Sequence, residues 1–323
     1  MRCLTLFFII GGVSLASGCG VNGSMVRADL LEKSGGEAFE LTDTAFYPQT
    51  TDQCGPAALA AVLGTTGVHV LPADLAPNLY IPGRKGSLQI ELLAAARSYG
   101  RMPYRLDPDI VSLLGELQSG RPVLVLQNLG NRFVPVWHYA VVIGYLPDEN
   151  QFVLRSGDVR RHLVTASKFQ RSWRRADSWG VLILEPGELP ANHDMETYVR
   201  AVADLEAVGQ FDAATAGYRA AVEHWPENTI AWLGLGNSHY ELRQLKMAQT
   251  AYSELLKLEP GNVVALNNLA LVLADLGQVE DAIRTVNAAI SLTKPADALY
   301  EMINQTRSEI LADHSRRRTA SYD

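Results

Sequence analysis

The spacing of hydrophobic and polar positions changes about halfway along the chain. In the first half, helical spacing at 56–63, 87–99 and 109–117 precedes a series of shorter runs that are rich in β-branched residues. Gly, Pro, Asn and Asp bound these runs, which lie at 122–126, 138–145, 151–154 and 179–184. Helices followed by antiparallel strands predict an α+β domain over residues 45–187.

A segment that suits neither helix nor strand follows this domain. Pro186, Gly187 and Pro190 interrupt both spacings and predict a linker. Because few contacts need to cross such a linker, we expect the parts on either side to fold independently.

Beyond the linker the chain repeats itself. Ala214, Ala248 and Ala282 recur at a step of 34 residues, and an aromatic position keeps the same step at Tyr218 and Tyr252. The central unit, 229–262, resembles the tetratricopeptide pattern at Trp232, Leu235, Gly236, Ala248, Tyr252 and Pro260. The pattern predicts an all-α solenoid over 195–312, with three repeats and a capping helix. Residues 313–323 are polar and are predicted to form a disordered tail.

The N-terminal segment has the features of a leader. Arg2 precedes an apolar run at 4–15, which is too short to span a bilayer as a helix. Small residues then precede Cys19, which resembles the lipobox of bacterial lipoproteins. That resemblance implies a signal peptide over 1–18 and a lipid on Cys19. An ordinary signal peptide cut nearby is the alternative.

Residues 19–44 are rich in small and polar types and predict a tether. Gly20 follows the cysteine where an aspartate would favour the inner membrane. The lipoprotein resemblance therefore implies an outer-membrane anchor facing the periplasm.

The cysteine count directs attention to one thiol. The sequence has three cysteines. The lipoprotein resemblance implies that Cys3 leaves with the leader and that Cys19 takes the lipid. Cys54 then has no disulfide partner in an oxidising compartment. Pro56 and the apolar run behind it place Cys54 just ahead of the first turn of a helix, where the helix dipole stabilises a thiolate. Gly55 would leave the approach to the sulfur open.

A thiol nucleophile needs a base within hydrogen-bonding reach. Three histidines lie in the first domain: His69, His138 and His162. His69 is in a predicted loop and His162 in a polar stretch, whereas His138 begins a predicted strand. We therefore favour His138 as the base.

Composition and the other motifs exclude several classes of protein. A net charge of −7 opposes a nucleic-acid-binding face. The sequence contains no HExxH motif, no zinc-binding cysteine cluster, no dinucleotide fingerprint and no P-loop. We expect no metal and no cofactor.

Three segments together resemble a known family. CGPAALA, GRPVLVL and WHYAVVIGY are similar to the bacteriocin-processing, double-glycine peptidases, which are family thirty-nine of the cysteine peptidases. The resemblance implies a papain-like fold and acyl-transfer cleavage of a peptide by a Cys–His–Asp triad. It assigns Cys54 as nucleophile, His138 as base and Gln49 as a donor to the oxyanion.

The chain departs from the family pattern at two positions. Gln49 lies five residues before the cysteine, whereas six is common in the family. Ser156 stands where the family has its aspartate, and Asp158 comes two residues later. Asp158 could orient His138, Ser156 could do so as a neutral partner, or the triad could be incomplete.

The sequence therefore predicts a lipid-anchored cysteine peptidase that recruits a substrate or protein partner through its repeats. One alternative is an inactive or weak papain-like binding protein of an envelope or export system. An amidase or an acyltransferase is another alternative, because peptidases, amidases and acyltransferases can all use the same thiol chemistry.

Overall fold

The computed structural model describes residues 35–48, 53–79, 81 and 86–320. The predicted signal peptide, the first part of the tether, Cys19 and Gln49 lie outside these residues. No helix among the described residues is long and apolar enough to cross a membrane.

The first domain is an antiparallel sheet with helices on both faces. Its helices are α1 (Cys54–Gly64), α2 (Pro72–Leu79), α3 (Gln89–Ser98), α4 (Ile110–Gln118) and α5 (Ala166–Arg174). Its strands are β1 (Phe39–Glu40), β2 (Met102–Arg105), β3 (Val123–Asn128), β4 (Trp137–Leu146), β5 (Gln151–Ser156), β6 (Val159–Thr165) and β7 (Gly180–Leu184). The main path of the sheet is β2-β7-β3-β4-β5-β6, and β1 pairs with β4. The predicted α+β class is confirmed.

The pleat of β4 divides the core into two layers. Tyr139 and Val141 face α1, in a cluster that contains Leu59 and Leu63. Ala140 and Val142 face the opposite layer, with the aromatic residues of α5. Because successive side chains alternate between the faces of a strand, neighbouring residues of β4 belong to different layers.

Five elements of this domain were not predicted: α2, α5, β1, β2 and β6. Strand β1 lies within the segment that was predicted as a tether. The sequence of β6, VRRHLVT, reads as a polar stretch because the strand lies at the sheet edge and all but one of its residues are at least partly exposed. Because so few side chains of β6 are buried, the strand does not need a strict alternation of apolar and polar residues.

Helices alone form the second part. Three pairs follow one another: α6 (Met195–Ala207) with α7 (Phe211–His224), α8 (Thr229–Glu241) with α9 (Leu245–Leu258), and α10 (Val263–Asp275) with α11 (Val279–Ser291). The predicted capping helix is α12 (Tyr300–Ala320). It continues beyond residue 312, so residues 313–320 are helical rather than the disordered tail that the sequence predicted. Buried Ile303 and Ile310 hold this helix against the last pair.

The two parts do not have separate cores, contrary to the expected independence. One buried cluster contains Met102 and Tyr104 of β2 together with Tyr198 and Val202 of α6. The ion pair between Arg97 and Asp204 also crosses this boundary.

The linker itself is held by a buried carboxylate. Glu116 of α4 is fully buried, and its Oε1 accepts a hydrogen bond from the Ala191 N–H at 2.7 Å. Its Oε2 accepts from Arg121 Nε at 2.6 Å. Arg121 also contacts Glu188 of the linker at 3.0 Å. The proline and glycine residues of the linker therefore correctly indicated where helix and strand are interrupted. They did not indicate that the two parts of the chain are packed separately.

We expect the whole chain to unfold in one calorimetric transition that includes the sheet and the first repeats. A chain truncated after Pro190 would expose Met102 and Tyr104 and would leave Glu116 without the Ala191 amide. It should melt at least about 10 °C lower or aggregate, because burying an unsatisfied charged group and losing core contacts each cost several kcal/mol. An unchanged melting temperature in the truncated chain would instead show that the parts are independent.

Candidate active site

Helix α1 begins at the candidate nucleophile. Gln53 is its N-cap residue, and the Ala57 N–H donates to the Gln53 carbonyl at 3.1 Å. Cys54 is the first helical residue, one position further into the helix than the sequence predicted, and its side chain is half-buried. The unpaired N–H groups and positive dipole end of a helix N-terminus favour a thiolate at this position.

Gly55 has a packing role that the sequence did not reveal. A Cβ at this position would lie 2.7 Å from Ser87 Oγ and 2.8 Å from Ser87 Cβ. The glycine therefore lets α1 approach Ser87, which differs from the expected role of keeping the sulfur accessible.

His138 is the second residue of β4 and directly contacts Ser156, the last residue of β5. The distance from His138 Nε2 to Ser156 Oγ is 2.8 Å. This hydrogen bond leaves Nδ1 as the ring nitrogen that can exchange a proton with a thiol. Burial, and to a smaller extent the nearby His162, lowers the pKa of His138. Both effects disfavour the imidazolium.

Cys54 lies beside Tyr139, the residue that follows His138 in β4. Burial and the electrostatic effect of Cys54 raise the pKa of Tyr139. The Tyr139 hydroxyl donates to the Ser87 carbonyl at 3.3 Å, and its ring meets Trp179 edge-on at 5.9 Å. The sequence analysis did not select Tyr139, although its position next to a candidate base was a usable signal.

The structure therefore brings the predicted residues together only in part. His138 contacts Ser156, the residue at the position of the family's aspartate. Because side chains alternate along a strand, His138 shares the face of β4 with Ala140, whereas Tyr139 packs in the cluster that Cys54 contacts. Cys54 and His138 therefore lie near the same end of β4.

The remaining candidates occupy other positions. Asp158 is exposed in the turn between β5 and β6, and its role in orienting His138 stays a prediction. Gln49 lies outside the described residues, so its role also stays a prediction. His162 is on β6, where it pairs in register with Leu154.

Two further polar residues support this end of the sheet. Gln127 of β3 is opposite His138 in the β3–β4 ladder, and its Nε2 donates to Ser172 Oγ at 2.7 Å. Buried Arg155 donates to the carbonyl oxygens of Thr42 and Thr44 at 2.8 and 3.0 Å. It thereby fixes part of the segment that leads towards α1. Neither residue belongs to a recognisable motif, so sequence analysis missed both.

Two families match separate parts of the chain. Residues 41–180 match the Peptidase_C39 like family. Residues 200–247 and 235–298 match the tetratricopeptide repeat. The chain carries a C39-like domain followed by tetratricopeptide repeats. No curated protein matches it.

Several solved structures align with one part of the chain or the other. A structure described as a C39-like peptidase from Bacillus anthracis has 18% identity and a TM-score of 0.38, covering 46% of this chain and 98% of its own. The type III secretion translocator chaperone SycD of Yersinia enterocolitica has 17% identity and a TM-score of 0.36, covering 38% and 86%. The TPR2B domain of yeast Sti1, in a complex with an Hsp70 peptide, has 14% identity and a TM-score of 0.35, covering 37% and 97%.

The described residues of the C39-like domain include groups suited to thiol chemistry. No group of three or more His, Cys, Asp or Glu side chains that could hold a metal ion occurs within the described ranges. The available groups are a thiol at a helix N-terminus and a neutral imidazole held by a hydroxyl. Such groups suit nucleophilic attack on a carbonyl.

Proposed function

We propose that this protein is a cysteine hydrolase of the peptidase type, with Cys54 as nucleophile and His138 as base. The observation that carries the proposal is the His138–Ser156 hydrogen bond at the end of β4 where α1 presents Cys54. A ring held through Nε2 has its other nitrogen, Nδ1, available for the thiol.

The chemistry follows from these groups. Nδ1 of His138 takes the thiol proton, and the sulfur attacks the carbonyl carbon of the scissile amide. The C–S bond forms as the carbonyl π pair moves onto oxygen, where the Cys54 backbone N–H would stabilise it. Collapse breaks the C–N bond, and the imidazolium gives its proton to the departing amine. Water then attacks the thioester carbonyl while His138 takes a proton from it. Collapse breaks the C–S bond and releases the carboxylic acid, and the imidazolium returns its proton to the departing sulfur, which restores the thiol.

The repeats supply a surface suited to a protein partner. A groove of about 610 Å³ lies on the inner helices and is lined by Glu206, Asn237 and Tyr252. The Tyr252 hydroxyl donates to Asn237 Oδ1 at 2.8 Å, and Asn237 Nδ2 donates to Glu206 Oε1 at 3.1 Å. Tetratricopeptide repeats support protein partner binding, and we propose that this groove recruits the substrate or an accessory protein.

A lipid anchor completes the proposal. Acylation of Cys19 would hold the C39-like domain at the outer membrane, facing the periplasm, through the tether. Both Cys19 and the leader lie outside the described residues, and their sequence pattern supports this part of the proposal.

A second function has specific support. Ser156 is neutral where the family has a carboxylate. This observation favours a papain-like binding or assembly protein with weak or absent catalysis, because a neutral hydroxyl stabilises an imidazolium less than a carboxylate does.

Alkylation of Cys54 separates the two functions. In the hydrolase, iodoacetamide should react with Cys54 at pH 7 at least about tenfold faster than with an unperturbed thiol of pKa ~8.5, because the helix N-terminus stabilises the thiolate and neutral His138 can take the proton of the thiol. His138→Ala should slow the reaction severalfold, whereas His69→Ala, an exposed histidine of the same domain, should not. Cys54→Ala identifies the labelled site. A rate that is ordinary and indifferent to His138→Ala would favour the binding protein.

A further inference from the structure

A second cavity lies on the α5 face of the sheet, directly behind the His138–Ser156 pair. Its volume is about 390 Å³, which is within the usual range of small ligand sites. Ser156 lines it, so the cavity begins where the proposed catalytic site ends. Strands β3, β5 and β6 supply one wall and α5 the other.

The charged groups around this cavity have one sign. Lys168, Arg171 and Arg175 line it, together with His162. None of the lining residues is Asp or Glu, although the whole chain has a net charge of −7. Arg175 donates one hydrogen bond to the Gly130 carbonyl at 2.6 Å. Within the described part of the chain, none of the three cationic side chains has an ion-pair partner, so their charge remains available.

The uncharged residues that line the cavity are of two kinds, apolar and polar. Leu129, Leu154 and Val164 contribute apolar surface. Gln127 and Ser172 are more than nine-tenths buried and hydrogen-bond to each other at 2.7 Å. Because their donors and acceptors are largely satisfied internally, they shape the cavity, and the cations at its rim determine its charge preference.

We propose that this cavity binds an acidic side chain of a peptide, with glutamate as the best fit. The apolar wall suits the methylene groups of glutamate, and the guanidinium and ammonium groups suit its carboxylate. Lys168, Arg171 and Arg175 are exposed at the rim of the cavity, so the attraction should weaken as the salt concentration rises. This inference goes beyond the proposed hydrolase, since the site would select acidic peptides whether or not Cys54 reacts.

A matched pair of peptide pools tests the site directly. Each pool contains fluorescein-labelled hexapeptides in which one position is fixed and the others are random uncharged residues, the fixed residue being Glu in one pool and Gln in the other. Binding to the full chain carrying Cys54→Ala is measured by fluorescence anisotropy, so that no cleavage occurs. We expect the Glu pool to bind about tenfold more tightly at low salt, and the preference to shrink at 0.5 M salt.

Variants of α5 connect the preference to this cavity. Lys168→Gln combined with Arg171→Gln should abolish the preference for Glu, whereas Arg174→Gln, an exposed arginine of the same helix outside the cavity, should preserve it. Equal melting temperatures of the variants show that the fold is intact. Equal affinity for the two pools, or a preference that survives the double substitution, would overturn the proposal.

The same proteins distinguish this proposal from the hydrolase proposal. The rate of Cys54 alkylation reports on the hydrolase and is measured on the chain with Cys54 intact. An ordinary alkylation rate together with a preference for Glu would remove the hydrolase and leave the acidic-peptide site standing. A fast, His138-dependent alkylation rate with no preference for Glu would support the hydrolase and overturn the acidic-peptide site.

Discussion

Replacing Ser156 by Asp is expected to accelerate the alkylation of Cys54 at pH 6.5 by at least about tenfold. Ser156 Oγ already lies 2.8 Å from His138 Nε2, so a carboxylate at this position would be within hydrogen-bonding reach of the ring. In the native protein, burial and His162 lower the pKa of His138. The imidazole is therefore neutral at neutral pH and contributes little positive charge to the thiolate.

The sign of the change follows from the charge. A carboxylate favours the imidazolium and raises the pKa of His138. Below that raised pKa the ring is protonated, and its positive charge stabilises the Cys54 thiolate. The acid limb of the pH–rate profile, measured with iodoacetamide between pH 4 and 9, should therefore move to lower pH in Ser156→Asp. The nearby cation Lys168 and His162 would also stabilise the new carboxylate.

Asp158→Asn is the matched control for this experiment. If Ser156 is the partner of His138, removing the charge of exposed Asp158 should alter the alkylation rate less than about twofold. A loss of several orders of magnitude in Asp158→Asn would instead identify Asp158 as the third member of the triad. Ser156→Asp with an unchanged profile would show that the Ser156 position does not control the ring.

Gly234→Ala is expected to destabilise the repeats by about 3 kcal/mol, the upper end of the usual cost of overpacking. A Cβ at Gly234 would lie 2.2 Å from Cζ of Tyr218. The Tyr218 ring is 1% exposed, and its hydroxyl donates to Glu206 Oε2 at 2.6 Å. The ring therefore has no room to move, and the clash exceeds the ~1 kcal/mol that alanine gains over glycine within a helix.

The measurement is thermal unfolding of the full chain. A cost of this size should lower the melting temperature by about 4–5 °C in a protein of this length. Gly261→Ala is the control, because no atom lies within 4 Å of a Cβ there and its φ is not positive. An unchanged melting temperature in Gly234→Ala would mean that α7 and α8 can separate without loss of stability.

The sequence by itself determined the features that depend on local periodicity. The recurrence of Ala214, Ala248 and Ala282 specified the helix pairs, because each repeat places a small residue where two helices meet. The β-branched runs of β3 and β4 specified strands, since both faces of these strands are buried. Cys54 and His138 were recognisable because the residues around them form motifs.

Packing between distant segments was decided only by the tertiary structure. The contact between Ser156 and His138 depends on how β4 and β5 are aligned against each other. This alignment cannot be read from the sequence of either strand alone. The shared core around Met102 and Tyr198 joins segments that a proline-rich linker appeared to separate. The cavity of Lys168 and Arg171 exists because an amphipathic helix packs on a polar edge strand. Each of these features depends on side chains that are far apart in the chain. The local spacing of hydrophobic and polar residues therefore does not predict them.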